Sequence, residues 1–227
     1  MLNAFLDLVF PRYCFACTNS LEVGEDLLCT NCRFELPRTN THVHKDQKLA
    51  QKFYGKVKIE EVLAYLYFVK GGKVQRLLHQ LKYKGHQEIG EMLGRMYGSE
   101  LKDIGIDQKI DLIIPVPLHP QKQNVRGYNQ SDSFAKGLSE QLEIEWIPDV
   151  LKKGKPTESQ TKQVGRYERF KNINDVFYVH KPSEVINKRI ALVDDIVTTG
   201  STLEACAAEL LIEGAKEIYI ITIATAT

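Results

Sequence analysis

Asp194 and Asp195 stand side by side directly after the apolar run Ile190-Ala-Leu-Val193. The residues that follow, Ile196-Val-Thr-Thr-Gly-Ser-Thr202, end in five small or hydroxylated positions. Acidic residues and small turns are each common, but two contiguous carboxylates behind a buried-strand signature, with the turn in register, form a chemical arrangement. A helix signal begins at Ser201. The first backbone N–H groups of a helix lack internal partners and carry the positive end of its dipole, so the turn is a place for an anion. The carboxylates then need a different partner, and vicinal hydroxyls of a ribose suit them, because a carboxylate accepts two O–H hydrogen bonds well. Gly200 lets the backbone approach, and the hydroxyls of Thr198, Thr199, Ser201 and Thr202 add donors. The expected ligand is a ribose 5-phosphate, its phosphate in the turn and its diol over the carboxylates.

A second constellation lies near the start of the chain. Cys14-x-x-Cys17 and Cys29-x-x-Cys32 are separated by eleven residues. Each pair can present two thiolates to one metal, and two such knuckles complete a tetrahedral site. Redox dithiols or disulfides are the alternatives, but no thioredoxin-like pattern surrounds these cysteines. A closed four-cysteine site has no open position, which predicts structural Zn2+. Cys206, on an Ala-rich helix face, reads as a small core residue.

The elements that position these groups follow from periodicity. Composition changes near residue 56, dividing the chain into an N-terminal helix and zinc-ribbon module (1–55) and a second domain (56–227). Strands are predicted at 62–69, 112–117, 175–179, 189–193 and 217–224. Helical spacing runs over 73–83, 88–101, 131–142 and 201–213. Strands alternating with helices predict an α/β fold with a mostly parallel, doubly wound sheet. Ser201 and Glu204 have the spacing of a capping box, and Gly214 sits where a left-handed stop belongs. The residues between strand 112–117 and helix 131–142 read as a loop.

The whole chain has 227 residues, 43% apolar and 26% charged, with a net charge of +1. That excludes wholesale disorder, and only local charge can argue for nucleic acid. Residues 152–171 supply such a local excess: seven Lys/Arg against Glu158 and Glu168. The opening MLNAFLDLVF lacks a basic region and carries Asp7, so it reads as a short helix rather than a signal peptide. No apolar stretch approaches the length of a membrane span. The expectation is a cytoplasmic protein without membrane insertion.

VDDIVTTGST (193–202) resembles the phosphoribosyl pyrophosphate (PRPP) signature of type I phosphoribosyltransferases. PVPLHPQKQNVRGYNQS (115–131), LKYKG (81–85) and ESQTKQVGRYERFKNINDVF (158–177) resemble blocks of the ComF family, of the ComFC/GntX type. Two places depart from that pattern: Gln123, Asn124 and Val125 precede Arg126 where basic residues are frequent, and His86 follows Gly85 where an aspartate is frequent. The resemblance implies a type I phosphoribosyltransferase-like core with a small N-terminal zinc ribbon built on the four cysteines. It implies PRPP with Mg2+, held by Asp194, Asp195 and the run Ile196, Val197, Thr198, Thr199, Gly200, Ser201 and Thr202. Pyrophosphate falls to the loop at Pro117, Leu118 and His119, with Lys84 adding charge. Asp194, Asp195, Arg126 and Lys82 are the implied catalytic set. Arg166, Tyr167 and Arg169 lie on a flap that either closes over PRPP or touches single-stranded DNA. The implied role is natural competence, handling single-stranded DNA during uptake with a helicase-like partner. A true transferase acting on an unidentified acceptor, PRPP hydrolysis, and a non-enzymatic scaffold are the alternatives.

Overall fold

Four apolar segments become strands because their side chains must be buried on both faces. They are β1 (Glu61–Phe68), β2 (Leu112–Pro115), β5 (Arg189–Val197) and β6 (Glu217–Ala226). In the computed structural model, which describes residues 11–44, 47–154 and 177–226, they form one sheet in the order β1-β6-β5-β2, every neighbour parallel. Beyond β2, Ile113 bridges in parallel to Trp146. A second, antiparallel pair joins β3 (Leu151–Lys153) to β4 (Phe177–Val179).

Alternation along the strands sorts the core into two layers. Leu63, Ile113, Ala191, Val193, Tyr219 and Ile221 face one way, against α3 (Lys73–Tyr83), α4 (Gln87–Asp103) and α6 (Gln130–Leu142). Val62, Ala64, Ile114, Ile190, Leu192 and Ile220 face the other, against α7 (Ser201–Ile212) and the segment holding α2 (Gln47–Gln51). The sheet is doubly wound, as the sequence predicts.

Among the described residues, the cysteine module has no core separate from that of the sheet. Cys14, Ala16, Leu28, Cys32 and Leu36, around the short helix α1 (Thr30–Glu35), belong to the same buried cluster as Val74, Leu77, Leu78 and Leu81 of α3. Residues 37–41 then run along the outer edge of β1, Arg38 bridging to Leu66. The N-terminal segment thus covers an otherwise open edge.

Three local expectations are corrected. β5 does not stop at Val193 but continues through both aspartates to Val197, with Asp194 opposite Thr222 of β6. Ser201 is the first helical residue of α7 rather than its cap. Gly200, at φ +85°, holds the cap position, no side chain caps the helix, and Glu204 pairs instead with Lys56 at 3.4 Å. Residues 120–126 form a short helix, α5 (Pro120–Arg126), because Pro120 enters at its first position and Gly127, at φ +80°, stops it. Gly214 behaves as expected: Ala215 N–H reaches Leu210 O and Gly214 N–H reaches Leu211 O, a Schellman pair.

Candidate phosphoribosyl-binding site

Because β5 carries the acidic pair inside the strand, its two carboxylates leave on opposite faces. Asp195 follows the parity of Ala191 and Val193 toward α3, where the Lys82 ammonium lies 2.7 Å from its Oδ2. Asp195 is nearly sealed from solvent, at 4% exposure, so this ion pair is close to the interior. Lys82 sits in the last turn of α3, whose apolar stripe is pressed on the sheet. Asp194 takes the other parity. Its Oδ1 accepts from Ser131 Oγ at 3.0 Å and from the Asp195 N–H at 2.8 Å. Burial, reinforced by the charge of Asp195, pushes the Asp194 carboxyl up to about 7.

The helix α6, which carries Ser131, is packed very closely on α4. A Cβ at Gly137 would lie 2.1 Å from Glu91 O, and one at Gly94 2.5 Å from Phe134 O. Backbone meets backbone there, and only glycine allows it. Asn129 fixes the start of α6: its side chain accepts from Ser131 N–H and donates to Val116 O.

A cleft of about 210 Å³ opens over the carboxylates. Pro117, Leu118 and His119 line one side, and Lys82, Arg126 and Thr202 also border it. His119 caps α5, its Nδ1 accepting from Gln121 N–H at 3.2 Å. Arg126 donates to Gln130 Oε1 at 2.8 Å. A smaller cavity of about 50 Å³ adjoins it, lined by Asp194, Ile196 and every residue from Thr198 to Leu203. Val197 is buried and belongs to the core beneath this turn. The turn is braced from behind. Phe53, 1% exposed, puts two ring carbons 3.0 Å from where a Gly200 Cβ would stand, and the Lys52 ammonium donates to Thr198 O. Lys84 is placed elsewhere: it ends α3 on the exposed surface and does not line the cleft. Arg166, Tyr167 and Arg169 lie outside the described residues, within the connection between β3 and β4.

The sulfurs of Cys14, Cys17, Cys29 and Cys32 all lie within 4.8 Å of one another, and Cys17 Sγ is 3.7 Å from Cys29 Sγ. Four thiolates at about 2.3 Å from one ion are about 3.8 Å apart, so the spacing fits a tetrahedral metal such as zinc. Burial opposes ionisation of Cys14, but N–H groups of Cys29, Cys17 and Ala16 outweigh it and hold the thiol at about 7. Burial raises Cys29 and Cys32 instead. A dication is what would let all four ionise together.

The model of the phosphoribosyl transferase domain matches residues 129–227. Full-length relatives agree. The DNA utilization protein YhgH of Escherichia coli (strain K12) is 29% identical, over 94% of this chain and 96% of its own. Competence protein F of Haemophilus influenzae is 28% identical, over 93% and 96%. Competence protein ComFC of Bacillus subtilis (strain 168) is 25% identical, over 62% and 55%. Relatives of these names, together with the domain match, support the ComF family for this chain.

Several residues around the cleft escape sequence reasoning. Ser131 is one hydroxyl among many until α6 is docked. Lys153 lines the cleft from the end of β3, although its sequence neighbourhood places it at the start of the basic run 152–171. Lys52 and Phe53 lie about 145 residues before the turn they brace, and nothing local marks them. Among the described residues, no helix is long and apolar enough to cross a membrane.

Proposed function

We propose that this ComF protein binds PRPP with Mg2+ in the cleft over Asp194 and Asp195 and serves natural competence by handling single-stranded DNA. The observation that carries the ligand reading is the conjunction of two adjacent carboxylates, Asp195 buried and Asp194 half-buried, with a braced, hydroxyl-rich turn at the start of α7. The ribose diol lies over the carboxylates and the 5-phosphate enters the cavity at Thr198–Thr202. The pyrophosphate lies toward Pro117–His119, where Lys82 and Arg126 offset its charge. Asp194 and Asp195 also fit Mg2+ as hard oxygen donors, and the ion would screen the pyrophosphate.

In a transfer or hydrolysis step the C1–O bond to pyrophosphate breaks as an acceptor bonds to C1. Positive charge grows on the ribose ring, and the two carboxylates below it stabilise that charge. Ser131 keeps Asp194 oriented, and Lys82 does the same for Asp195. His119 and α5 fix the backbone that faces the leaving group.

The names of the Haemophilus, Bacillus and Escherichia relatives support the role in competence and DNA utilization. We propose zinc as the structural metal of the cysteine module. A transferase acting on an unidentified acceptor is the second reading, favoured by the room beside the carboxylates. A thermal-shift screen of PRPP with Mg2+ against ribose 5-phosphate, nucleotides and pyrophosphate tests the ligand reading. PRPP with Mg2+ should give the largest stabilisation, and a screen in which it gives none overturns the reading.

A further inference from the structure

The net charge of +1 conceals a strongly uneven distribution. From Val62 to Gln87 there is no Asp or Glu, while Lys70, Lys73, Arg76, Lys82 and Lys84 are present. From Leu112 to Ser131 there is again no acidic residue, but Lys122 and Arg126 are. The fold brings these two acid-free stretches together. Tyr128 donates its hydroxyl to Leu81 O, tying the turn after α5 to the last turn of α3.

On α3 the apolar face is Val74, Leu77, Leu78 and Leu81, so Arg76, His79 and Tyr83 share the opposite face. All three are exposed, as are Lys84 and Lys122. Tyr83 is 63% exposed. It is also held in place. The Arg126 guanidinium lies 5.1 Å from its ring centroid, and the His79 ring is 5.2 Å away at 46°. Neighbouring acids are engaged: Lys73 pairs with Glu35, and His86 with Glu88 at 2.7 Å. Lys122 and Arg126 also border the cleft, so the strip Arg76–His79–Tyr83–Arg126–Lys122 runs from the outer face of α3 to the cleft mouth.

An ordered, exposed aromatic ring among cations that have no acidic partner among the described residues meets the two needs of a single-stranded nucleic acid. It offers a surface for a base to stack on and charges for the phosphates beside it. A duplex keeps its bases covered, and polyphosphate has none. We infer that the α3–α5 strip centred on Tyr83 is a docking surface for single-stranded nucleic acid leading to the cleft. This rests on the reading that the protein handles single-stranded DNA. It assigns that contact to described residues of α3 and α5 rather than to the basic run 152–171.

The test uses the full, zinc-loaded chain and a fluorescent oligothymidine, followed by anisotropy across a salt series. Tyr83→Ala should weaken binding about tenfold at every salt concentration, the loss expected for one stacked base, without changing the salt slope. Tyr83→Phe should bind like the wild type. Arg76→Ala should flatten the log–log salt slope by about 0.7, the value for one released phosphate. PRPP affinity should be unchanged in all of these variants. If the wild type binds the oligomer but Tyr83→Ala binds equally well, this surface is wrong while the DNA reading stands. If the wild type binds no oligomer, both fail. Equal affinity for duplex or for polyphosphate, insensitive to Tyr83, would make the strip a general polyanion surface and overturn the assignment.

Discussion

Lys82 and Asp195 form an ion pair of 2.7 Å that joins the last turn of α3 to the strand carrying the acidic pair. Its two ends are unequally buried, with one fifth of the Lys82 side chain in contact with solvent and Asp195 almost none. Lys82 is therefore the group free to follow a ligand, whereas Asp195 is fixed by its strand.

Removing the lysine alone strands a buried carboxylate. Lys82→Met should destabilise the ligand-free protein by about 3 kcal/mol, because an uncompensated buried charge is costly. Adding Asp195→Asn should recover most of that loss. Urea denaturation of the two single variants and the double variant measures the coupling. Additive losses would show that the pair contributes nothing.

Asp194 gives the fold a pH dependence of unusual sign for a carboxylate. Its carboxyl holds a proton up to about 7 in the folded chain, against 3.8 ordinarily, chiefly through burial. Between those values the folded chain binds the extra proton, so this group lowers stability as pH rises. From about pH 5 to about pH 8 the wild type should lose on the order of a few kcal/mol that Asp194→Asn does not lose. Parallel denaturation midpoints for the two proteins over that range would contradict this account.

The cysteine module shares its buried cluster with α3, whose far end carries Lys82, so metal loss cannot stay local. Metal analysis of the reduced protein should find one zinc per chain, and Cys29→Ser should release it. Chelation should lower the melting temperature of the whole chain and weaken PRPP binding together. An unchanged melting curve after the zinc has left would show that the core stands without the module.

Much of the fold was legible because its signals are local. The strands predicted at 62–69 and 189–193 overlap β1 and β5, and α3 occupies the predicted 73–83. The carboxylates, the turn and the four cysteines were legible for the same reason: each group is contiguous or closely spaced. What was not legible depends on packing between distant segments. The brace of Phe53 under Gly200 is one case, and the contact of Ser131 with Asp194 is another. The predicted capping box failed because Gly200, in a left-handed conformation, takes the cap position and leaves Ser201 inside the helix. The merging of residues 11–36 into the main core was equally invisible, since a change in composition says nothing about which surfaces meet.

The account stands most directly on Asp194 and Asp195 as the seat of PRPP. Titration calorimetry of PRPP with Mg2+ should show saturable, single-site binding to the wild type. In Asp194→Ala with Asp195→Ala, affinity should fall by more than about a hundredfold, since each lost charge-assisted hydrogen bond is worth about 1.5–3 kcal/mol. The circular dichroism spectrum should be retained. A folded double variant that binds PRPP with wild-type affinity would contradict the assignment of this cleft.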